Sequence, residues 1–219
     1  MLILTLIQKV AVWILPMLLA ITLHEAAHAF VASRCGDSTA RALGRLSINP
    51  IRHIDPIGTL VVPLLIGVLS QFQFIFGWAK PVPIDWHNLR KPRRDMALVA
   101  AAGPLSNVIM ALIWGACFKC ATLLHPETSS LSLFVLLTAQ AGILINLVLA
   151  ILNLIPLPPL DGSRIISAML SPKQAQHYQK IERFGFLILM VLLLTGVLSW
   201  FLEFPLTWAL GGIKYLYQI

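Results

Sequence analysis

The fold is decided by an apolar stretch near the N-terminus, residues 10–33, which read VAVWILPMLLAITLHEAAHAFVAS. A helix of this length can cross the hydrocarbon core of a bilayer, which is roughly 30 Å thick. The ionisable side chains of the stretch are His24, Glu25 and His28. Because ionisable groups inside a span are energetically costly, they indicate functional positions. The stretch therefore predicts a transmembrane helix with a functional site in its C-terminal half.

The composition extends this prediction to the whole chain of 219 residues, of which 58% are hydrophobic and 11% are charged. The mean hydropathy of +0.84 is too high for a soluble domain and is typical of a polytopic membrane protein in a lipid bilayer. The net charge of +7 would suggest a nucleic-acid partner only if the basic residues formed a patch. They lie instead in short loops between apolar runs, so no nucleic-acid partner is expected.

We predict an all-α polytopic membrane protein with about four to six transmembrane segments. Two further core spans are expected over residues 96–118 and 131–160, and a C-terminal span over residues 184–202. The sequence contains no internal repeat and no low-complexity linker. We therefore expect a single membrane-embedded domain, residues 1–219, whose core covers residues 10–165.

The connection between the first and second core spans is expected to contain a small membrane-associated β-hairpin or re-entrant segment. Residues 39–48 partly alternate between apolar and polar side chains, which favours a strand or hairpin. Residues 57–79 are uncharged, but their glycines and proline do not suit one straight helix. Irregular backbone at membrane depth must be buried against protein or line a wet cavity.

The lysine and arginine residues predict the orientation. Thirteen of the sixteen lie in three connecting regions, residues 34–55, 80–95 and 161–183. The positive-inside rule places these regions in the cytosol. Residues 57–79, which two of the regions flank, are then expected to enter and leave on the cytosolic side. With that path, the spans that end near His28 and before Asp161 run parallel, and their ends can meet.

The motif His24-Glu25-Ala26-Ala27-His28 has the spacing of a zinc site. Two histidines four residues apart lie on one face of a helix and can bind one metal ion. Glu25 is placed to act as a general base toward a water molecule activated by that metal. The alternative is that both histidines only pack against neighbouring helices while Glu25 pairs with an arginine.

A catalytic zinc ion has three protein ligands, so a third one is needed. Asp161 follows the uncharged run over residues 131–160, and the prolines just before it open the backbone. The same aspartate could equally act as the N-cap of a helix that begins at Gly162. The residues alone leave both roles open.

The ordered motifs resemble the site-2 protease family of intramembrane zinc metalloproteases, in its compact prokaryotic form without PDZ or CBS domains. The resemblance covers about residues 24–165. It rests on HEAAH at 24–28, NP at 49–50 followed by HIDP at 53–56, GWAKPVP at 77–83, AGPLSN at 102–107 and NLIPLPPLDG at 153–162. It implies one Zn²⁺ per chain, held by His24, His28 and Asp161, with Glu25 as the base.

Two asparagines have roles that the resemblance suggests. It places Asn107 and Asn153 near the active site, where a side-chain amide could bind the substrate or stabilise the oxyanion of the transition state. The alternative for each is a hydrogen bond to a neighbouring helix.

The predicted function is hydrolysis of peptide bonds in or near the transmembrane segments of membrane-protein substrates. The predicted location is a bacterial cell (inner) membrane, with the active site near the cytosolic side. One alternative is a membrane metal-binding or transport protein, since transporters also carry intramembrane His, Glu and Asp. A second alternative is a non-catalytic relative that acts as a scaffold.

Overall fold

The computed structural model describes residues 6–62, 65, 80–124 and 129–219, and within these residues it is helical with no β-strand. The helices are α1 (Leu6–Cys35), α2 (Thr39–Ala42), α3 (Pro92–Leu123), α4 (Ser130–Leu154), α5 (Asp161–Met169), α6 (Pro172–Gln179), α7 (Glu182–Leu194) and α8 (Val197–Tyr217). Single helical turns are formed by Pro50–His53, Pro56–Val61 and Trp86–Asn88.

Three of the described helices, α1, α3 and α4, are long and apolar enough to cross a membrane. A fourth crossing is available if α7 and α8, which meet at an angle of 79°, together form one broken span. In the part of the chain that the structure describes, the protein is therefore an all-α membrane protein with three or four candidate spans, which reaches only the lower end of the predicted range of four to six. The predicted C-terminal span over residues 184–202 is interrupted at Gly196, whose φ of +76° lies in the left-handed region.

The predicted β-hairpin is wrong. At residues 39–42 the chain forms the helical turn α2, because the buried Asp37 carboxylate accepts hydrogen bonds from the backbone N–H and the hydroxyl of Thr39. The partly alternating pattern arises because Ala40 and Leu46 pack inward against Ala29 of α1. A strand partner is therefore not needed to bury these apolar residues.

The three long helices alternate in direction. Along α3, Val99 contacts His28 and Asn107 contacts Ala20, so α1 and α3 are antiparallel. Asn107 also contacts Asn146 of α4. Trp114, which follows Asn107 in α3, packs against Gly142, which precedes Asn146 in α4. Helices α3 and α4 are therefore antiparallel as well, which makes α1 and α4 parallel, as the charge pattern predicts.

The connection from α1 to α3 leaves and returns on the same side of the bundle. The backbone N–H of Arg90 donates to the carbonyl of Cys35 (3.0 Å), at the end of α1. Gly36, with a φ of +117°, makes the turn beside this contact, and a Cβ there would lie 3.0 Å from Arg90. Most of the predicted re-entrant segment, residues 57–79, lies outside the described residues.

Helix α8 packs back on the bundle. Ile213 is buried with Ala111 of α3 and with Ile143 and Leu147 of α4. The Tyr217 hydroxyl donates to the carbonyl of Leu112 (2.9 Å). The end of α8 therefore covers α3 and α4 away from the histidines.

Candidate active site

The three predicted metal ligands meet at one point. His24 and His28 lie on α1, and Asp161 is the first residue of α5. The Nε2 atoms of the two histidines are 3.1 Å apart. Oδ2 of Asp161 lies 3.2 Å from Nε2 of His24 and 3.3 Å from Nε2 of His28. Both histidines are buried, with 8% and 6% of their surface exposed.

Hydrogen bonds on the far side of each ring fix which nitrogen faces the centre. His28 Nδ1 lies 2.7 Å from the carbonyl oxygen of Val99, and His24 Nδ1 lies 2.6 Å from Oδ1 of Asn107. Because these oxygens can only accept, each Nδ1 carries the hydrogen and donates it. Each Nε2 therefore presents a lone pair to the other histidine and to Asp161.

This donor set fits a zinc ion. Two lone pairs and a buried carboxylate oxygen without a hydrogen bond repel one another at these distances unless a cation lies between them. Donors at about 2.0–2.1 Å from a tetrahedral Zn²⁺ lie about 3.3–3.4 Å apart, close to the separations seen here. Zinc binds the neutral imidazole nitrogen of histidine and the carboxylate oxygen of aspartate, which are the groups that meet here.

Glycines allow the chain to approach this centre. A Cβ at Gly103 of α3 would lie 2.4 Å from Nε2 of His28 and 2.6 Å from Nε2 of His24. A Cβ at Gly162 would lie 2.3 Å from the carbonyl oxygen of Leu154, at the end of α4. Gly103 thus lets α3 cover the histidines, and Gly162 lets α5 begin against the end of α4.

Asp161 does not act as the N-cap that the sequence allowed. The cap position of α5 is Leu160, and Asp161 is already helical. The start of this helix is held by the Ser163 hydroxyl, which donates to the carbonyl of Leu160 (2.6 Å). The next residue, Arg164, forms an ion pair with Glu182 of α7 (3.1 Å). These contacts fix the helix that carries Asp161.

Glu25 faces a different part of the molecule. Its Oε2 accepts a hydrogen bond from the backbone N–H of Val82 (2.7 Å). Pro81 and Pro83 have no N–H, so Val82 carries the single backbone donor of residues 81–83. The Arg45 side chain donates to the carbonyl of Lys80 (2.9 Å) and helps to hold this segment. Sequence reasoning missed this contact because a backbone donor has no side-chain signal.

The two predicted asparagines differ in their surroundings. Asn107 is fully buried, and its amide nitrogen donates to the carbonyl of Ala20 (3.2 Å) and to Oδ1 of Asn146 (2.9 Å). Asn153 is partly buried and donates to the carbonyl of Leu149 (3.0 Å). Asn146 was not among the predicted site residues, although a polar amide within the apolar run over residues 131–160 was a signal for it.

Comparisons with known proteins agree with this site. A profile described as "Peptidase family M50" matches residues 127–196. A Bacillus subtilis protein named "Putative zinc metalloprotease YwhC" is 38% identical over 197 residues, which cover 86% of this chain and 83% of that protein. "Putative zinc metalloprotease Rip2" of Mycolicibacterium smegmatis is 33% identical over 187 residues, covering 85% of this chain and 68% of that protein.

The Rip2 protein of Mycobacterium tuberculosis is 29% identical over 208 residues, covering 92% of this chain and 71% of that protein. No solved structure matches the chain. The identity to YwhC extends over most of both proteins, and the profile match includes Asp161. The chain therefore belongs to peptidase family M50, in agreement with its resemblance to the site-2 proteases.

Proposed function

We propose that the protein is an intramembrane zinc metalloendopeptidase that cleaves peptide bonds in or near transmembrane segments of membrane proteins. The observation that carries this proposal is the convergence of His24, His28 and Asp161 within a bundle of membrane-spanning helices. The relatives named as zinc metalloproteases support the same activity. No feature of the described residues favours metal transport or a scaffold role.

His24, His28 and Asp161 would hold the zinc ion. When bound, zinc polarises a peptide carbonyl and makes water more acidic. Glu25 then takes the proton from the attacking water and gives it to the leaving amine. The Val82 N–H holds one oxygen of the Glu25 carboxylate, which leaves the second oxygen for proton transfer. The four residues thus divide into a set that binds metal and one that moves a proton.

The two predicted asparagines have different proposed roles, because they differ in their hydrogen-bond contacts. Both donor contacts of Asn107 are directed at Ala20 and Asn146, whereas Asn153 makes one donor contact, to Leu149. An amide nitrogen has two hydrogens, so Asn153 is the better candidate to donate to the oxyanion of the transition state. Asn107 contacts His24 and acts on the metal side of the site.

The site would lie near the cytosolic side of a bacterial inner membrane. The histidines are in the C-terminal half of α1, close to the connection whose flanks are rich in lysine and arginine. The relatives come from bacteria, which supports a bacterial membrane. The chain would act as a single membrane-embedded domain, and its substrates would reach the site from the bilayer as transmembrane segments.

The decisive experiment compares Glu25→Gln with the wild type in proteoliposomes that contain a model transmembrane substrate. Glutamine cannot take up the proton, so cleavage should fall by on the order of a thousandfold or more, while the bound zinc is unchanged. His24→Ala should lose both zinc and cleavage. Cleavage by Glu25→Gln at the wild-type rate would overturn the proposed mechanism.

A further inference from the structure

We propose that Asn146 is a positioning residue for the zinc site, which acts through Asn107 to fix the hydrogen of His24 on Nδ1. The proposal rests on the proposed function, because it takes His24 as a zinc ligand. The three side chains lie on three helices, α4, α3 and α1, and form a chain of hydrogen bonds from α4 to the metal centre.

The chain begins at a backbone carbonyl of α4. The amide nitrogen of Asn146 donates to the carbonyl oxygen of Gly142 (2.8 Å). Because that oxygen can only accept, the nitrogen end of the Asn146 amide must face it. Oδ1 of Asn146 is therefore turned toward Asn107.

The orientation of Asn107 follows in the same way. Its amide nitrogen lies between two acceptors, Oδ1 of Asn146 at 2.9 Å and the carbonyl oxygen of Ala20 at 3.2 Å. The two hydrogens of the Asn107 amide nitrogen match these two acceptors. The reversed orientation would instead place Oδ1 of Asn107 against both of these oxygens. Oδ1 of Asn107 is thus directed at Nδ1 of His24, 2.6 Å away.

The consequence is a fixed tautomer of His24. Because Oδ1 of Asn107 can only accept, Nδ1 of His24 must donate, and Nε2 keeps its lone pair for the metal. Asn107 and Asn146 are both fully buried, with 0% exposure, so bulk water cannot replace either amide. His28 needs no such chain, because the carbonyl of Val99 holds its Nδ1 directly.

Asn146 therefore has a role that packing alone does not require. Without its oxygen, one hydrogen of Asn107 loses its partner, and the carbonyl of Ala20 alone opposes the reversed amide. In the reversed state an N–H of Asn107 would face Nδ1 of His24 and favour the wrong tautomer. Metal affinity should fall although no ligand has changed.

The test measures zinc affinity by chelator competition on the full-length holoprotein in detergent, for Asn107→Leu, Asn146→Leu and the double variant. Loss of an outer hydrogen-bond partner typically lowers metal affinity about 10–100-fold. We expect Asn107→Leu to lie in that range and Asn146→Leu at its lower end. The double variant should match Asn107→Leu alone, because Asn146 acts only through Asn107.

A second readout is the visible absorption spectrum of the cobalt-substituted protein, which reports the ligand geometry and should change in both single variants. The matched control is Thr138→Val, which removes another buried polar atom from α4, one without a hydrogen-bond partner among the described residues. This control should keep the wild-type affinity and spectrum. Asn107→Ser gives the same test where leucine cannot be accommodated.

Three outcomes would overturn the proposal: wild-type zinc affinity in Asn146→Leu, wild-type affinity in both Asn107 variants, or independent losses that add in the double variant. His24→Ala is measured alongside. If His24→Ala still binds zinc as the wild type does, the proposed ligand set itself is wrong. If it loses zinc while the asparagine variants do not, only the positioning role fails.

Discussion

Adjacent residues of α1 face two regions that are built in different ways. His24 faces a metal side, in which its partners are side chains and backbone of the buried helices α3 and α4. Glu25 faces a base side, in which its partner is the backbone N–H of Val82, in a non-helical connection. The metal side is therefore set by which side chains the helices carry, and the base side by the path of a loop. Variants that alter one side and spare the other test this division.

Among the variants that separate the two sides, Gly103→Ala is expected to have the largest effect, and it affects the metal side alone. The new methyl group would lie 2.4–2.6 Å from both imidazoles, so the rings or α3 must move. Zinc affinity should fall on the order of 100-fold in chelator competition. Gly212→Ala is the matched control, because a Cβ there has no neighbour within 4 Å. Equal zinc affinity in the two variants would contradict the packing that we describe.

Val82→Pro affects the base side alone. It removes the N–H that binds Glu25, and a hydrogen bond to a charged group is worth about 1.5–3 kcal/mol. Cleavage should therefore fall by about 10–100-fold, with bound zinc unchanged. Val82→Ala keeps the N–H while shortening the side chain, so it should remain much closer to the wild type. If the proline and alanine variants cleave equally well, this N–H does not matter to the base.

A smaller effect is expected from Asp37→Asn. This change weakens the connection that carries Val82, at a point remote from Glu25. Asp37 accepts from the backbone N–H of Asp85 (3.0 Å) and from Nδ2 of Asn88 (3.2 Å) and so ties the connection to the end of α1. Burial would raise the pKa of Asp37, but these bonds and those from Thr39 lower it. Its contribution to stability is therefore present above the unfolded pKa, about 3.9, and is lost as the pH falls through the lower folded value.

The measurement is the thermal unfolding midpoint in detergent as a function of pH. At neutral pH the Asp37→Asn protein should be less stable by about 1–3 kcal/mol, and it should lose less stability than the wild type on acidification below about pH 4. The control Glu203→Gln changes an exposed carboxyl of α8. Parallel pH profiles for the wild type and Asp37→Asn would refute the role of this carboxylate.

The smallest effect is expected from Tyr217→Phe, which touches neither side. It removes the hydrogen bond to the carbonyl of Leu112 and should lower the free energy of unfolding by about 1 kcal/mol. Zinc affinity and cleavage should not change. Tyr215→Phe, at a tyrosine that is 88% exposed, should have no effect on stability. Loss of zinc in Tyr217→Phe would mean that the metal side extends to the end of α8.

The same division explains what the sequence could and could not predict. His24 and His28 were predicted as zinc ligands from their side-chain type and spacing. For Asp161 the residues left two roles open, and the resemblance to the site-2 proteases favoured the metal ligand. The structure brings the three side chains together. The Val82 donor was missed because every residue except proline has such a group. Asn146 was missed because no sequence spacing distinguishes an asparagine that supports a site from one that only bonds a neighbouring helix. The predicted hairpin was wrong because the Asp37 carboxylate binds Thr39 and stabilises a helical turn at residues 39–42.

If His24, His28 and Asp161 hold zinc as proposed, the ion is also part of the fold. It would join two points of the chain, residues 24 and 161, that are 137 residues apart, much as a long-range cross-link does. Without the ion, these donors repel one another beneath Gly103, and part of the binding energy is in effect folding energy. The proposed site would thus connect α1 and α5 through the same ion that serves the chemistry.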